Sequence, residues 1–375
     1  MVFLCLLSSI IIGKVVSTVD SIDLFTSGIS DNSWSKSERV CYRIPSLLKI
    51  NSSHIIAFAS ERLWKSSEHT FCSDESASNI VSRRSIDGGL TWQPMELVIP
   101  TGSERAERHP WTLFDEQTQR IFAFTNNNVA NCTCNVVYTT SDDYGLSWND
   151  QLTPVSEDTG YYGMALAHGI QHTSGRLVGC MRKICRNSCP EDYHSKSYYS
   201  DDHGVSWSSS EWLAAGTTEC QLVELSDHRL YLNSRPYKGW EGEQNVRLVS
   251  YSADAGSTWS DVVAEPNLID FGFAVEGSMA SDVTSGVMLY LHPMANIRRN
   301  ITLYHGAMND DGVVLWDTAN TLQIYPGISE YSDVIVLSTN AINSDTVYMS
   351  KYGTAGVLFE RQEYHHISFA IVGIP

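Results

Sequence analysis

A charged residue inside an apolar, strand-like run is the first sign of chemistry in this sequence. In VCYRIPS, residues 40–46, Arg43 lies in a short apolar run and Pro45 follows it. Arginine is rarely buried without a partner, and proline in a sheet is confined to edges, strand ends and bulges. Arginine is also well suited to hold a carboxylate, because its planar fork matches that group and stays charged. Arg43 is therefore a candidate ligand for an anion.

A repeated motif indicates which elements position such charges. Ser-x-Asp-x-Gly-x-(Ser/Thr)-Trp begins at Ser85, Ser141, Ser200 and Ser252, at intervals of 56, 59 and 52 residues, and MNDDGVVLW, ending at Trp316, resembles a fifth, degenerate copy. Each copy follows a strand-like run and is typical of a hairpin turn, in which Asp bonds turn amides and Gly adopts a positive φ. Because the motif recurs at every hairpin, this structural role is favoured over calcium binding or acid catalysis.

The repeat length predicts the fold class. A unit of about 55 residues suits a four-stranded propeller blade, and the chain holds about six such units. The sequence therefore predicts an all-β fold, a six-bladed β-propeller of four-stranded antiparallel blades, as one domain over residues 18–375. Residues 1–17 are interpreted as a signal peptide, because the apolar run FLCLLSSIII has the length of one and is too short to span a bilayer. A buried first strand is the alternative.

Further features favour export, to the lysosome or the cell exterior. Three N-glycosylation sequons begin at Asn51, Asn131 and Asn300. Of nine cysteines, eight remain once Cys5 leaves with the signal peptide, and an even number in an oxidising compartment favours disulfides. A zinc site at Cys185, Cys189 and His194 is the disfavoured alternative.

Net charge limits the partners. The formal charge of −18 argues against nucleic acid or an anionic membrane surface as the main partner. No run after residue 17 has the length of a transmembrane helix.

YRIP followed by four Asp boxes resembles the sialidase (neuraminidase) superfamily, and lysosomal-type sialidases of animals in particular. The resemblance runs from about Cys41 to Glu360 and includes SDE at 73–75, ECQ at 219–221, SRP at 234–236 and RRNITL at 298–303. It implies sialylated glycans as partners, with no metal or organic cofactor. Because the substrate is an anion, we expect a locally positive pocket on the negative body.

The resemblance implies a set of charges that hold the carboxylate of sialic acid. These residues are a triad of Arg43, Arg235 and Arg298, the brace Glu360 and the assisting Arg62. Arg299 is the alternative third arginine, because neighbours on a strand face opposite sides. In a regular strand Asn300 would share a face with Arg298, so that a glycan there would crowd the pocket. Three solutions remain open: a bend in the chain, an unused sequon, or Arg299 as the ligand.

The resemblance also implies the catalytic residues. Tyr331 matches the nucleophile, Glu219 its base and Asp74 the general acid on a polar loop. A phenol suits this reaction because a carboxylate nucleophile would approach a carbon that already bears a carboxylate, and sialidases are an exception to the usual carboxylate pair. Glu330 is the alternative base and Glu75 the alternative acid.

These roles lead to a disulfide prediction. Arg43 and Asp74 must meet the same sugar ring, so Cys41 and Cys72, each two residues earlier, come close together. We expect them to form a disulfide, the alternatives being buried thiols or other pairings.

The predicted function is that of an exo-α-sialidase, which hydrolyses terminal α-linked sialic acids of glycoproteins, glycolipids or oligosaccharides with retention of configuration. The alternatives are a trans-sialidase, which transfers the sugar to another glycan, and a non-catalytic Asp-box propeller acting as a receptor or lectin.

Overall fold

The structure, a computed structural model, describes most of the chain. It describes residues 19–36, 38–64, 72–74, 76–101, 108–129, 133–155, 162–164, 167–183, 193–237, 245–270, 275–295, 297–340, 350 and 352–375. The signal-peptide prediction for residues 1–17, the alternative acid Glu75 and the sequon at Asn131 lie outside these residues.

Six antiparallel sheets form the six blades of a β-propeller. Blade 1 contains β2 (Gly28–Ile29), β3 (Arg39–Lys49), β4 (Ile55–Trp64), β5 (Ser78–Ser85) and β6 (Glu96–Ile99). Blade 2 contains β7 (Trp111–Asp115), β8 (Arg120–Val129), β9 (Thr133–Ser141) and β10 (Thr153–Pro154). Blade 3 contains β11 (Tyr162–Met164), β12 (Ile170–Gln171), β13 (Leu177–Lys183), β14 (Ser195–Ser200) and β15 (Ser208–Ser209).

The second half of the ring has the same construction. Blade 4 contains β16 (Thr217–Glu224), β17 (Leu230–Pro236), β18 (Val246–Ser252) and β19 (Val263–Ile269). Blade 5 contains β20 (Ser278–Asp282), β21 (Val287–Ala295), β22 (Arg299–Met308) and β23 (Val314–Ile328). Blade 6 contains β24 (Ser332–Ser338), β25 (Thr354–Arg361), β26 (His366–Gly373) and β1 (Ile22–Thr26).

These sheets confirm the predicted propeller, with one addition. Blades 1 and 3 each carry a fifth, short strand, because β2 extends blade 1 and both β11 and β12 pair with β13. The ring is closed by β1, which pairs with β26 and so completes the last blade with the first strand. In the described part of the chain, no helix has the length and hydrophobicity needed to cross a membrane.

The Asp boxes are turn-forming motifs, as predicted. In the first box, Asp87 Oδ1 accepts the amide of Thr91 at 2.9 Å, and the amide of Gly89 donates to Ser85 Oγ at 2.8 Å. Gly89 has a φ of +95°, which a residue with a side chain would adopt only with strain. In the degenerate fifth copy, the side-chain oxygen of Asn309 accepts the amides of Asp311 and Val313 instead.

The box tryptophans do more than cover their own turns, because they join neighbouring blades. Trp92 of blade 1 packs edge-on against Phe369 of blade 6, with ring centroids 5.0 Å apart. Trp148 of blade 2 packs against Phe58 of blade 1 at 5.9 Å, and the Nε1 of Trp259 in blade 4 donates to Ser197 of blade 3 at 2.8 Å. The repeat thus supplies both the hairpin and the contact that holds the next blade.

Candidate active site

The predicted site residues come together at one end of the propeller. The strands that carry them alternate in direction, so that the Asp boxes lie at the opposite end of the same blades. Blades 1, 4, 5 and 6 contribute the predicted residues, and blade 3 contributes one more.

Arg43 lies in a β-bulge of β3. The ladder with β4 shifts register between Arg43 and Ser46, where Ile44 has a φ of 56° and Pro45 has no amide hydrogen to donate. The free amide of Ile44 donates to Glu360 Oε1 at 2.8 Å. The bulge explains why a proline is tolerated inside this strand.

The Arg43 guanidinium, only 5% exposed, is balanced by three carboxylates. Its Nε and Nη2 donate to the two oxygens of Glu360 at 3.1 and 3.3 Å, Nη1 donates to Asp74 at 3.2 Å, and Nη2 contacts Glu330 at 3.4 Å. Burial alone would lower the pKa of Arg43, but the charge of Glu360, with smaller contributions from its neighbours, raises it. Glu360, the residue predicted to brace Arg43, thus contacts its guanidinium through both carboxylate oxygens.

Tyr331 and Glu219 form a buried pair. The Tyr331 hydroxyl donates to Glu219 Oε1 at 2.8 Å, and the two residues are 8% and 3% exposed. Burial and the charge of Glu219 raise the pKa of Tyr331 well above its usual value. Burial would also raise the pKa of Glu219, but the charges of Arg235 and Arg182 outweigh it and lower that pKa. The phenol is thus neutral beside an ionised acceptor for its proton.

Glu330 is turned away from this pair. Its carboxylate accepts bonds from Arg298 at 2.5 Å and from the Tyr364 hydroxyl at 2.7 Å, in addition to its contact with Arg43. The Glu330 carboxylate is thus engaged by Arg298, Tyr364 and Arg43, whereas the Tyr331 hydroxyl donates to Glu219, which disfavours the alternative that Glu330 is the base.

A bend of the chain separates Arg298 from Arg299. Arg298 lies in the turn before β22 with a φ of 51°, Asn300 has a φ of 60°, and only Arg299 pairs across the sheet, with Ile328. Arg298 reaches Glu330 at the site, whereas Arg299 is exposed. Of the three solutions that the sequence left open, the structure shows the bend in the chain, so the conflict expected in a regular strand between Arg298 and a glycan on Asn300 does not follow from this backbone.

Asp74 lies between two arginines. Its Oδ1 accepts bonds from Arg62 at 2.7 Å and from Arg43 at 3.2 Å, while its side chain is 55% exposed. Arg62 is 1% exposed and also contacts Nε2 of His109 at 3.3 Å. Burial would raise the pKa of Asp74, but Arg62 and Arg43 outweigh it and lower that pKa.

Two disulfides lie beside these charges. Cys41 and Cys72 are joined, with Cα atoms 5.7 Å apart, and the backbone carbonyl of Cys72 accepts a bond from Arg62 at 3.0 Å. A second disulfide, Cys180–Cys220, was not predicted. The Cys185 and Cys189 of the zinc alternative lie outside the described residues, among which there is no group of ligands for a metal ion.

Two site residues escaped the sequence analysis. Arg182 donates to Glu219 Oε1 at 2.7 Å, and Arg235 donates to the other oxygen at 2.8 Å. The ring of Tyr364 lies against Arg43, with the guanidinium carbon 4.1 Å from its centroid. A signal for Arg182 was present, because Cys180 precedes it by two residues, as Cys41 precedes Arg43. Tyr364 gave no such signal.

Arginine side chains are concentrated at the site. Five arginines contact four carboxylates here, namely Arg43, Arg62, Arg182, Arg235 and Arg298 with Asp74, Glu219, Glu330 and Glu360. On a chain of net charge −18, these guanidinium groups are a local concentration of positive charge suited to an anionic ligand. The sequon residue Asn51 lies elsewhere, exposed in the turn between β3 and β4.

The chain is similar to sialidases in sequence. It is 28% identical to Sialidase-4 of Mus musculus over 64% of this chain and 53% of that protein, and 26% identical to a sialidase of Micromonospora viridifaciens over 85% and 50%. The chain thus spans about half the length of these two relatives. With Sialidase-2 of Rattus norvegicus, the identity is 26% over 88% of this chain and 92% of that protein.

Solved structures share the fold. A Hadza microbial sialidase, Hz136, superimposes with a TM-score of 0.70 at 23% identity, covering 89% of this chain and 66% of that one. A leech intramolecular trans-sialidase gives a TM-score of 0.70 at 19% identity, covering 95% and 70%. The family model of the BNR repeat-like domain matches residues 62–343. The chain therefore belongs to the BNR repeat-like domain family, within the sialidase superfamily.

Proposed function

We propose that this protein is a retaining exo-α-sialidase, which hydrolyses terminal α-linked sialic acids of glycoproteins, glycolipids or oligosaccharides. The observation that carries the proposal is the 2.8 Å contact between Tyr331 and Glu219 in a pocket rich in arginines. A structural tyrosine has no need of a buried carboxylate that two arginines keep ionised. A non-catalytic propeller has no use for this pair either.

The arginines suit the substrate's carboxylate, which lies on the anomeric carbon. Arg43, Arg235 and Arg298 would hold this group, because planar guanidinium forks bind carboxylates with fixed orientation. Each is itself held by a protein carboxylate, respectively Glu360, Glu219 and Glu330. Such bracing keeps the guanidinium groups in place before the substrate arrives, which lowers the cost of ordering the site.

In the first step, the Tyr331 oxygen would attack the anomeric carbon and Glu219 would take the phenolic proton. Asp74 would donate a proton to the departing glycosidic oxygen, so that the alcohol leaves neutral. A neutral nucleophile avoids repulsion by the substrate carboxylate, and the adjacent base supplies the activation that a phenol needs. The product of this step is a tyrosyl-linked sialic acid.

In the second step, water would attack the same carbon from the face that the leaving group vacated. Asp74, now ionised, would take a proton from that water, and Glu219 would return its proton to the Tyr331 oxygen. Two displacements retain the configuration. Because Asp74 is 55% exposed and Tyr331 is 8% exposed, the acid lies nearer the solvent than the nucleophile, as a residue that activates water requires.

The compartment proposed is the secretory pathway, with the lysosome or the cell exterior as destination. The support is the pair of disulfides, Cys41–Cys72 and Cys180–Cys220, since disulfides persist in oxidising compartments.

The decisive experiment is turnover of a fluorogenic α-sialoside at several pH values, with and without lactose. Hydrolysis is expected to release free sialic acid at a rate that lactose does not alter. Formation of sialyllactose would favour the trans-sialidase alternative instead. The absence of any turnover, together with binding of a sialic-acid analogue, would favour a lectin.

A further inference from the structure

The Cys180–Cys220 disulfide joins two blades. Cys180 lies on β13 of blade 3 and Cys220 on β16 of blade 4, with Cα atoms 6.1 Å apart and a sequence separation of 40. The cysteines are 2% and 0% exposed, in an apolar cluster with Val178 and Leu222. Apolar packing already stabilises this contact between the blades. The bridge therefore needs a reason for its position that lies in the residues next to it.

The bridge runs beside the ion pair that holds the predicted base. Arg182 lies two residues beyond Cys180 on β13, and Glu219 immediately precedes Cys220 on β16. The Arg182–Glu219 ion pair, with Nη1 and Oε1 2.7 Å apart, therefore crosses the same gap between blades as the disulfide. A shift of one strand against the other would lengthen the ion pair, and the covalent bridge resists such a shift.

The backbone at Glu219 is not set by a regular ladder. The pairing of β16 with β17 shifts register between Thr217 and Cys220, so Glu219 lies within an irregular stretch of the strand. A bulge redirects a side chain and leaves its backbone without the usual pairing. Hydrogen bonds of the ladder do not fix the direction of the Glu219 side chain here. The disulfide of the next residue, Cys220, can fix it instead.

We propose that the Cys180–Cys220 disulfide is a positioning element of the active site, which keeps Arg182 against Glu219 and so keeps Glu219 aimed at the Tyr331 hydroxyl. This inference rests on the proposed function, because it assigns the bridge to the base of that reaction. The disulfide acts through Arg182 and Glu219 and touches no substrate.

The groups that face Glu219 determine how loss of the bridge would appear. Arg235 from β17 and Arg182 from β13 lower the pKa of Glu219 against its burial, and the Tyr331 hydroxyl donates to it. Glu276, which precedes β20, is the acidic neighbour whose own pKa is raised by burial and by nearby carboxylates. If Arg182 moves away, the pKa of Glu219 rises. Activity that needs ionised Glu219 is then lost at a higher pH as the solution is acidified.

The test uses the paired variant Cys180→Ala with Cys220→Ala and measures kcat, KM and the pH profile on a fluorogenic α-sialoside. We expect kcat to fall about tenfold with KM little changed. The acid limb of the profile, which is the loss of activity at low pH, should move to higher pH. Arg182→Met, with both bridges intact, is expected to move the same limb in the same direction. A bridge that served only stability would lower the melting temperature and leave the acid limb in place.

The matched control is Cys41→Ala with Cys72→Ala, which removes the bridge beside Asp74. We expect it to leave the acid limb unchanged. If the wild type is active and the Cys180/Cys220 variant has the same acid limb, the inference is overturned and the proposed function stands. If the wild type is inactive, the proposed function is overturned. If the alanine pair does not fold, the serine pair at the same positions is measured; failure of both to fold makes the bridge a requirement of the fold and also overturns the inference.

Discussion

The hydroxyl of Tyr331 donates to a carboxylate oxygen of Glu219, 2.8 Å away, across 112 residues of sequence. Burial raises the pKa of Tyr331, and the next contribution, the charge of Glu219, raises it further. The phenol therefore carries no negative charge of its own. If it is to act as a nucleophile, its proton must pass to Glu219 during the attack.

Replacing this phenol is the first test. We expect Tyr331→Phe to lower kcat at least about a thousandfold, because it removes the nucleophilic oxygen. Packing of the ring against Ile44 and Val275 is kept, so the melting temperature should change little. In the wild type, 2,3-difluorosialic acid is expected to lose its 2-fluoride, with the phenolic proton, and to leave a 3-fluorosialyl group on the peptide that contains Tyr331. Modification of another peptide, or near-normal turnover by the variant, would refute the assignment.

The sequence predicted the propeller well because its signals are local. An Asp box needs only the bonds between Ser85, Asp87 and Thr91, all within one turn, so a repeat of the motif is a repeat of the hairpin. Sequence alone could not show that Trp92 packs on Phe369, because that contact depends on ring closure.

The site was less accessible to prediction, for two physical reasons. Tyr331 and Glu219 were paired only through a family resemblance, since nothing local links residues so distant. Arg182 was missed because its contact with Glu219 depends on how blades 3 and 4 meet. The sequence left three solutions open for the Arg298 region, because nothing in it fixes the positive φ of Arg298 and Asn300 that bends the chain there.

Arg62 is expected to set the alkaline limit of activity. Asp74 must be protonated to act as an acid, so activity falls as the pH rises through its pKa. Among the charges that lower this pKa and oppose the effect of burial, that of Arg62 has the largest effect. In Arg62→Met the pKa of Asp74 should rise, and the alkaline limb should move up by about 1 to 3 pH units.

Arg62→Lys is the control for that shift, because it keeps the positive charge near Asp74. Its alkaline limb should stay closer to that of the wild type, even if kcat falls. Profiles of kcat/KM that extend down to about pH 2 would measure both variants, because the pKa of Asp74 in the wild type lies below the usual value of about 3.9. If the alkaline limb lies at the same pH in the wild type and in Arg62→Met, Asp74 is not a general acid whose pKa is lowered by Arg62.

Glu276 should make the fold less stable as the pH rises. It is 1% exposed, and neither carboxylate oxygen has a hydrogen-bond partner in the described part of the chain. Burial, then the charges of Asp333 and Glu219, raise its pKa well above the usual value. Above the unfolded pKa, ionisation favours the unfolded chain, by about 1.4 kcal/mol for each pH unit up to the folded pKa.

Glu276→Gln removes that ionisation. Relative to the wild type, the variant should gain stability between pH 4 and pH 7, as followed by its melting temperature at each pH. The exposed Glu211→Gln provides the control and should show no such gain. A difference between Glu276→Gln and the wild type that stays constant with pH would contradict the argument.

The third arginine can be identified by a pair of neighbouring variants. Arg298 contacts Glu330 at the site, whereas Arg299 is exposed and pairs through its backbone with Ile328. A hydrogen bond to a charged group contributes about 1.5–3 kcal/mol, so Arg298→Ala should weaken binding of a sialic-acid analogue about 10- to 100-fold. Arg299→Ala should bind within about twofold of the wild type, because surface substitutions of this kind change free energies by at most about 0.5 kcal/mol. Calorimetric Kd values for the two variants decide the question: a large loss in Arg299→Ala with none in Arg298→Ala would transfer the role to Arg299.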